Sequence, residues 1–170
     1  MNLRPSLLAA CLAAAIAPAF AGSPTTTGAL ATPANRIVGA WSNVAMVGPC
    51  GGVAGAPLRQ TLLFHAGGTF LDNSLFPPQG LPNLNGIAGT HQRSIGVGTW
   101  HYDPLTGQYA LDQRFDWFVN NQYHGYQVVT RSILLSTDGN NATGPVRTTR
   151  YAANGAIVAE LCGSASSTRL

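Results

Sequence analysis

The sequence predicts an all-β fold, an eight-stranded antiparallel up-and-down barrel closed by pairing its first strand with its last. Three observations carry that prediction. Strand-like runs bounded by turn residues follow one another, and no segment shows helical periodicity. Two Gly-x-Trp triplets, Gly39-Ala40-Trp41 and Gly98-Thr99-Trp100, place a glycine just before a tryptophan in such runs. A glycine there lets the backbone pass close under a large ring that plugs one barrel end. Cys50 follows the first run and Cys162 lies in the last, so a bond between them joins the two ends of the series.

The N-terminus is separate from the fold. Arg4, the apolar run 7–17 and the small-x-small site Ala19-Phe20-Ala21 read as a signal peptide over residues 1–21. That segment is too short for a membrane span. Leu8-Ala9-Ala10-Cys11 is not a lipid-anchoring box, because apolar sequence continues past Cys11. Residues 22–35, rich in Thr, Ala, Gly and Pro, read as a flexible leader, and 36–170 as a single barrel domain.

The first strand run is 37–47, ended by Gly48-Pro49. Runs 58–64 and 69–75 flank the turn His65-Ala66-Gly67-Gly68. Residues 76–93 form the longest irregular stretch, and their prolines exclude a central strand. A loop of that length is functional or flexible. Runs 95–102 and 108–119 flank Asp103-Pro104-Leu105-Thr106-Gly107. Run 126–136 follows Asn120-Asn121, and runs 141–151 and 156–164 flank Ala152-Ala153-Asn154-Gly155. Each strand leads to its neighbour, so the simplest topology is a meander, and first–last pairing removes both sheet edges.

Charged residues make up 9% of the chain, against about 25% in ordinary domains. All nine basic residues are Arg and they form no run, which argues against a nucleic-acid partner. The two cysteines beyond the signal peptide predict a disulfide in an exported chain, periplasmic or extracellular. Closing a loop of about 110 residues is worth roughly 4.7 kcal/mol in the chain-entropy model. The chain is expected to be a monomer without a stable membrane span.

Gly39-Ala40-Trp41 on the first strand, eight strands, and Arg169 near the C-terminus make the chain resemble the lipocalin and calycin type of barrel. More specifically, Thr69-Phe70, Gly98-Thr99-Trp100, Val129-Thr130-Arg131 and Thr168-Arg169-Leu170 resemble a group of small exported bacterial proteins of unassigned function. The resemblance implies an Arg stacked on the first-strand Trp. Two departures stand beside it: a second Gly-x-Trp, and no helix after the last strand.

Alternation selects the lumen. Tyr109, Leu111, Gln113, Phe115 and Trp117 share one face of their strand, while Asp112, Arg114 and Asp116 share the other. On the next strand Val129, Arg131, Ile133 and Leu135 share a face. The candidate lumen-lining, ligand-binding residues are therefore Phe70, Tyr109, Leu111, Gln113, Phe115, Trp117, Arg131 and Ile133. Phe64 and Tyr126 add aromatic bulk, and Tyr126 and Asn73 are further pocket candidates. Trp41, Trp100 and Arg169 are structural: Arg169 or Arg131 stacks on Trp41 or Trp100 as a plug. His65, His91, His101 and His124 stand on separate hairpins or loops, which favours surface or turn roles over a metal site. No catalytic residue, metal site or cofactor motif emerges.

An eight-stranded barrel is just wide enough to fill itself or to hold one small ligand. The leading reading is an exported carrier of a small apolar molecule, reached beside the 76–93 loop. A packed barrel acting through its surface is the alternative, and a barrel cyclase or isomerase of the allene-oxide-cyclase kind is the third.

Overall fold

The computed structural model describes residues 32–170; residues 1–21, read from sequence as a signal peptide, and residues 22–31 lie outside them. The strands are β1 (Gly39–Pro49), β2 (Leu58–Phe64), β3 (Thr69–Ser74), β4 (Leu81–Pro82) and β5 (Thr90–Arg93). They continue as β6 (Gly96–Asp103), β7 (Gln108–Val119), β8 (Gln122–Leu135), β9 (Asn141–Ala152) and β10 (Ile157–Arg169). Eight of these, all but β4 and β5, close into an antiparallel meander barrel. The closing pair is β1 with β10, running from Trp41 opposite Arg169 to Pro49 opposite Leu161.

Most element boundaries agree with the turn residues that set them. β10 is longer than its apolar run suggests, because its last residues are small and polar yet pair along β1 and β9. Residues 76–93 are not wholly irregular. β4 and β5 pair as a short hairpin, with Leu81 opposite His91, and β5 then joins β7, with His91 opposite Val119 and Arg93 opposite Trp117. Pro82 lies on the two-residue edge strand, where a missing ladder donor costs little. This hairpin extends the β7 edge beyond the point where β6 stops, so the barrel wall is taller on that side.

The inward faces form two apolar clusters. One, at the end where β1 begins, packs Ile37, Trp41, Leu62, Phe64, Phe70, Trp100, Tyr109, Leu111, Ile133 and Ala142. The end of the leader seals it: residues 33–35 form a 3-10 turn, and the Tyr109 hydroxyl donates to the Pro33 carbonyl. The other cluster, toward the opposite end, is Ala45, Phe115, Trp117, Val129, Val146 and Ala165. Phe76 and Leu84, from the segment between β3 and β5, pack against it. Cys50 and Cys162 are at bonding distance, with Cα atoms 4.7 Å apart, tying the end of β1 to β10.

Trp41 has no solvent exposure and donates from Nε1 to the Ile37 carbonyl at 2.9 Å. The Arg169 guanidinium lies 4.3 Å from its ring centre, the stacking expected of the terminal Arg. Trp100 is held differently, by Nε1 bonds to the His65 and Thr69 carbonyls at 3.1 and 3.0 Å. Arg131 stacks on neither ring and instead points into the lumen.

Candidate functional site

Between the two clusters the lumen carries a belt of polar side chains. Period-2 alternation puts them there. Asn43, Asp72, Gln113 and Ser167 each follow by two a plug or wall residue (Trp41, Phe70, Leu111, Ala165), and Gln60 and Arg131 precede Leu62 and Ile133 by two.

Asp72 is fully buried and is the focus of the belt. Its Oδ2 accepts from Gln60 Nε2 at 3.0 Å, Gln113 Nε2 at 2.9 Å and Arg93 Nη2 at 3.1 Å. Arg93 also donates to Ser74 Oγ at 2.8 Å and lies 3.6 Å from the centre of the Phe115 ring. Burial lowers the Arg93 pKa, and the charge and hydrogen bond of Asp72 oppose that shift. Gly96 makes room for this pair: a Cβ there would fall 2.9 Å from Arg93 Nη2.

A second half of the belt centres on Asn43. Its Oδ1 accepts from Ser167 Oγ at 2.7 Å and Arg131 Nη2 at 3.1 Å, while its Nδ2 donates to Gln60 Oε1 at 2.6 Å. Arg131 is 7% exposed, and its Nε has no hydrogen-bond partner among the described residues. Asp72 Oδ1 and Gln113 Oε1 are buried in the same condition. Burial pushes the Arg131 pKa down to about 10, with Asp72 acting against the shift, so the side chain remains a cation at neutral pH.

On one side of the belt the Trp41 cluster fills the lumen. On the other lies a cavity of about 380 Å³. Gln60, Arg93, Gln113 and Arg131 are its polar floor, and Ala45, Val47, Phe115, Trp117, Val129 and Val146 are its apolar wall. Phe76, Leu81, Pro82 and Leu84 stand over the mouth opposite residues 55–58. Of the apolar side chains of the 76–93 segment, Phe76, Leu81 and Leu84 face the cavity, whereas Ile87 and Ala88 are not part of its lining. Its size falls within the range of small-molecule pockets, and its lining has their mixed character.

Beside the mouth a second buried group forms under β5. Trp117 Nε1 donates to Gln127 Oε1, and Gln127 Nε2 to Thr148 Oγ1, both at 2.6 Å. Arg150, without solvent exposure, lies 4.5 Å from the Trp117 ring centre, and its Nη2 faces His91 Nδ1 at 3.5 Å. His91 Nε2 donates to the Ile87 carbonyl at 2.9 Å, which leaves Nδ1 as the acceptor toward Arg150. Burial lowers the His91 pKa; the Ile87 hydrogen bond raises it, and the charges of Arg150 and His124 lower it further.

Of the lumen residues expected from sequence, Gln113, Phe115, Trp117 and Arg131 line the cavity. Phe70, Tyr109, Leu111 and Ile133 also point inward, but they pack in the filled end. Tyr126 and Asn73 are outside the lumen: Tyr126 stacks on Tyr151 with ring centres 4.9 Å apart, and Asn73 is exposed on β3. The surface or turn role expected of the histidines fails for His91, which has no solvent exposure. Its strand, β5, lies within the stretch read as irregular, so no alternation marked it. No three or more His, Cys, Asp or Glu converge on a possible metal site among the described residues.

The sequence reading missed Asn43, Gln60, Asp72, Arg93, Arg150 and Ser167. Counting by two from Trp41, Leu62 or Phe70 reaches the first three, because lumen parity carries polar residues inward as readily as apolar ones. No helix among the described residues is long and apolar enough to cross a membrane. Comparison with protein-family models, with curated proteins and with solved structures finds no match to this chain.

Proposed function

We propose that this chain is an exported, lipocalin-like carrier that holds a small molecule with an apolar body in its half-open lumen. The observation that carries the reading is the division of the barrel. One end is filled by the Trp41 cluster, while the other keeps a cavity of about 380 Å³ under the 76–93 segment. A barrel acting only through its surface has no use for an apolar cavity with a polar floor. The Cys50–Cys162 pair and the signal-like N-terminus support an extracytoplasmic location. Asp72, the buried carboxylate, is engaged by three donors, which favours binding over acid–base chemistry.

The test is fluorescence titration with the neutral apolar probe N-phenyl-1-naphthylamine. Trp117 lines the cavity whereas Trp41 and Trp100 lie in the filled end, so saturable quenching should require Trp117. The expected affinity is micromolar, roughly −8 kcal/mol. Native mass spectrometry of protein purified from its own host should show a co-purified small molecule. Absence of both signals would transfer the assignment to the surface-acting reading.

A further inference from the structure

The charge inside this barrel is unbalanced. Among the described residues Asp72 is the only buried carboxylate, and it is paired with Arg93 at 3.1 Å. Arg131 and Arg150 are also buried, yet neither is in ion-pair contact with a carboxylate among the described residues. A buried cation with no carboxylate in contact is costly, and its cost falls when an anion is brought to it. Arg150 is packed under β5 against Trp117 and His91, away from the cavity lining. Arg131 is different. It lines the cavity, is held by one bond to Asn43, and keeps a buried Nε without a partner.

We propose that the molecule carried in this cavity is a singly charged amphiphile whose carboxylate seats at the belt against Arg131, with its apolar body along Phe115, Trp117 and Val129. The inference rests on the carrier reading above and specifies its ligand class. Position supports it: the guanidinium is in the floor and the apolar wall rises from it toward the mouth, so one ligand orientation satisfies both. The neighbouring oxygens limit the head. Asp72 Oδ1 and Gln113 Oε1 are buried acceptors without partners that repel any anionic head, so the carboxylate seats on the Arg131 side, away from them, and its charge is kept to one.

The experiment compares dodecanoate, dodecanol and dodecylammonium by isothermal titration at pH 7 on the unmodified protein. Dodecanoate should bind about tenfold or more tightly than the alcohol, as a charge-assisted hydrogen bond implies, and the ammonium weakest of the three. Arg131→Gln, checked for native fold by near-ultraviolet circular dichroism, should abolish the preference for the acid, read as the ratio of the acid and alcohol affinities in the same variant. A measurement independent of any variant is the carbon-13 titration of carboxyl-labelled dodecanoate in the complex. The bound carboxyl should ionise at lower pH than the free acid, since a nearby guanidinium favours its charged form. Equal binding of acid and alcohol, or a bound carboxyl that ionises no lower than the free one, overturns this inference and leaves the carrier reading intact. If none of the three binds and N-phenyl-1-naphthylamine does not bind either, the carrier reading falls and takes this inference with it.

Discussion

Arg169 lies over Trp41 with its guanidinium carbon 4.3 Å from the ring centre, and the glycine of the first Gly-x-Trp triplet makes that contact possible. A Cβ on Gly39 would sit 2.8 Å from Arg169 Nη1, and Gly39 has φ of 135°, a conformation that side-chain-bearing residues rarely adopt. The same guanidinium donates to the Val38 carbonyl at 2.8 Å, the Gly139 carbonyl at 3.0 Å and the Arg36 carbonyl. One side chain from the last strand therefore caps the plug, the first strand and the β8–β9 turn.

Arg169→Ala removes those bonds together with the cation–π contact and should destabilise the protein by about 2–4 kcal/mol. Arg169→Lys should recover little, because an ammonium cannot stack flat and reach several carbonyls at once. Trp41→Ala, a large-to-small change at a site without exposure, should cost about 3–5 kcal/mol. Urea unfolding of each variant measures the losses. A loss under about 1 kcal/mol for Trp41→Ala would make the ring dispensable to the barrel.

The disulfide joins residues 112 apart in sequence at the rim near the open end. Free-thiol titration of the unfolded, unreduced protein should find neither Cys50 nor Cys162 reactive. Replacing both with Ser should lower stability by up to about 4.7 kcal/mol in the chain-entropy model. The barrel should still close, since the β1–β10 ladder runs from Trp41 to Pro49 independently of the bond. Loss of the β-sheet circular dichroism signal in the double variant would show that the ladder alone is insufficient.

The barrel was legible in sequence because its signals are local: turn residues, period-2 alternation and a strand-start glycine each act over a few residues. The belt was less legible. Arg131 stood out among the aliphatic residues of β8, but Asp72 and Asn43 lie in runs where one polar residue carries no visible contrast. Their role depends on neighbours brought together by barrel closure, as with Asn43 accepting from Arg131 and Ser167 across 88 and 124 residues. The β4–β5 hairpin was hidden for another reason. Two-residue and four-residue strands are too short to show a period, and the prolines around them signal a loop.

His91 gives the protein a pH dependence whose sign follows from its surroundings. Its side chain is buried on β5 with its ring centre 6.0 Å from that of Trp117, and the charged or titratable groups facing it are Arg150 and His124. No carboxylate is among the causes of its shift, and its folded pKa lies below the ordinary 6.5. On acidification through that value the unfolded chain takes up a proton at this site that the folded protein refuses. Unfolding then becomes easier as pH falls, down to the folded pKa, and stability rises with pH across the same window. Protonation also turns Nδ1 from an acceptor into a donor facing the Arg150 guanidinium, so the strain falls on β5 and the hairpin over the mouth. Urea unfolding at pH 7.5 and 5.5 should show the parent protein losing more stability than His91→Gln, other groups cancelling in the difference. Hydrogen exchange at residues 81–93 should quicken at the lower pH in the parent and much less in the variant. Equal losses in parent and variant would mean that His91 stays accessible to protons in the folded barrel.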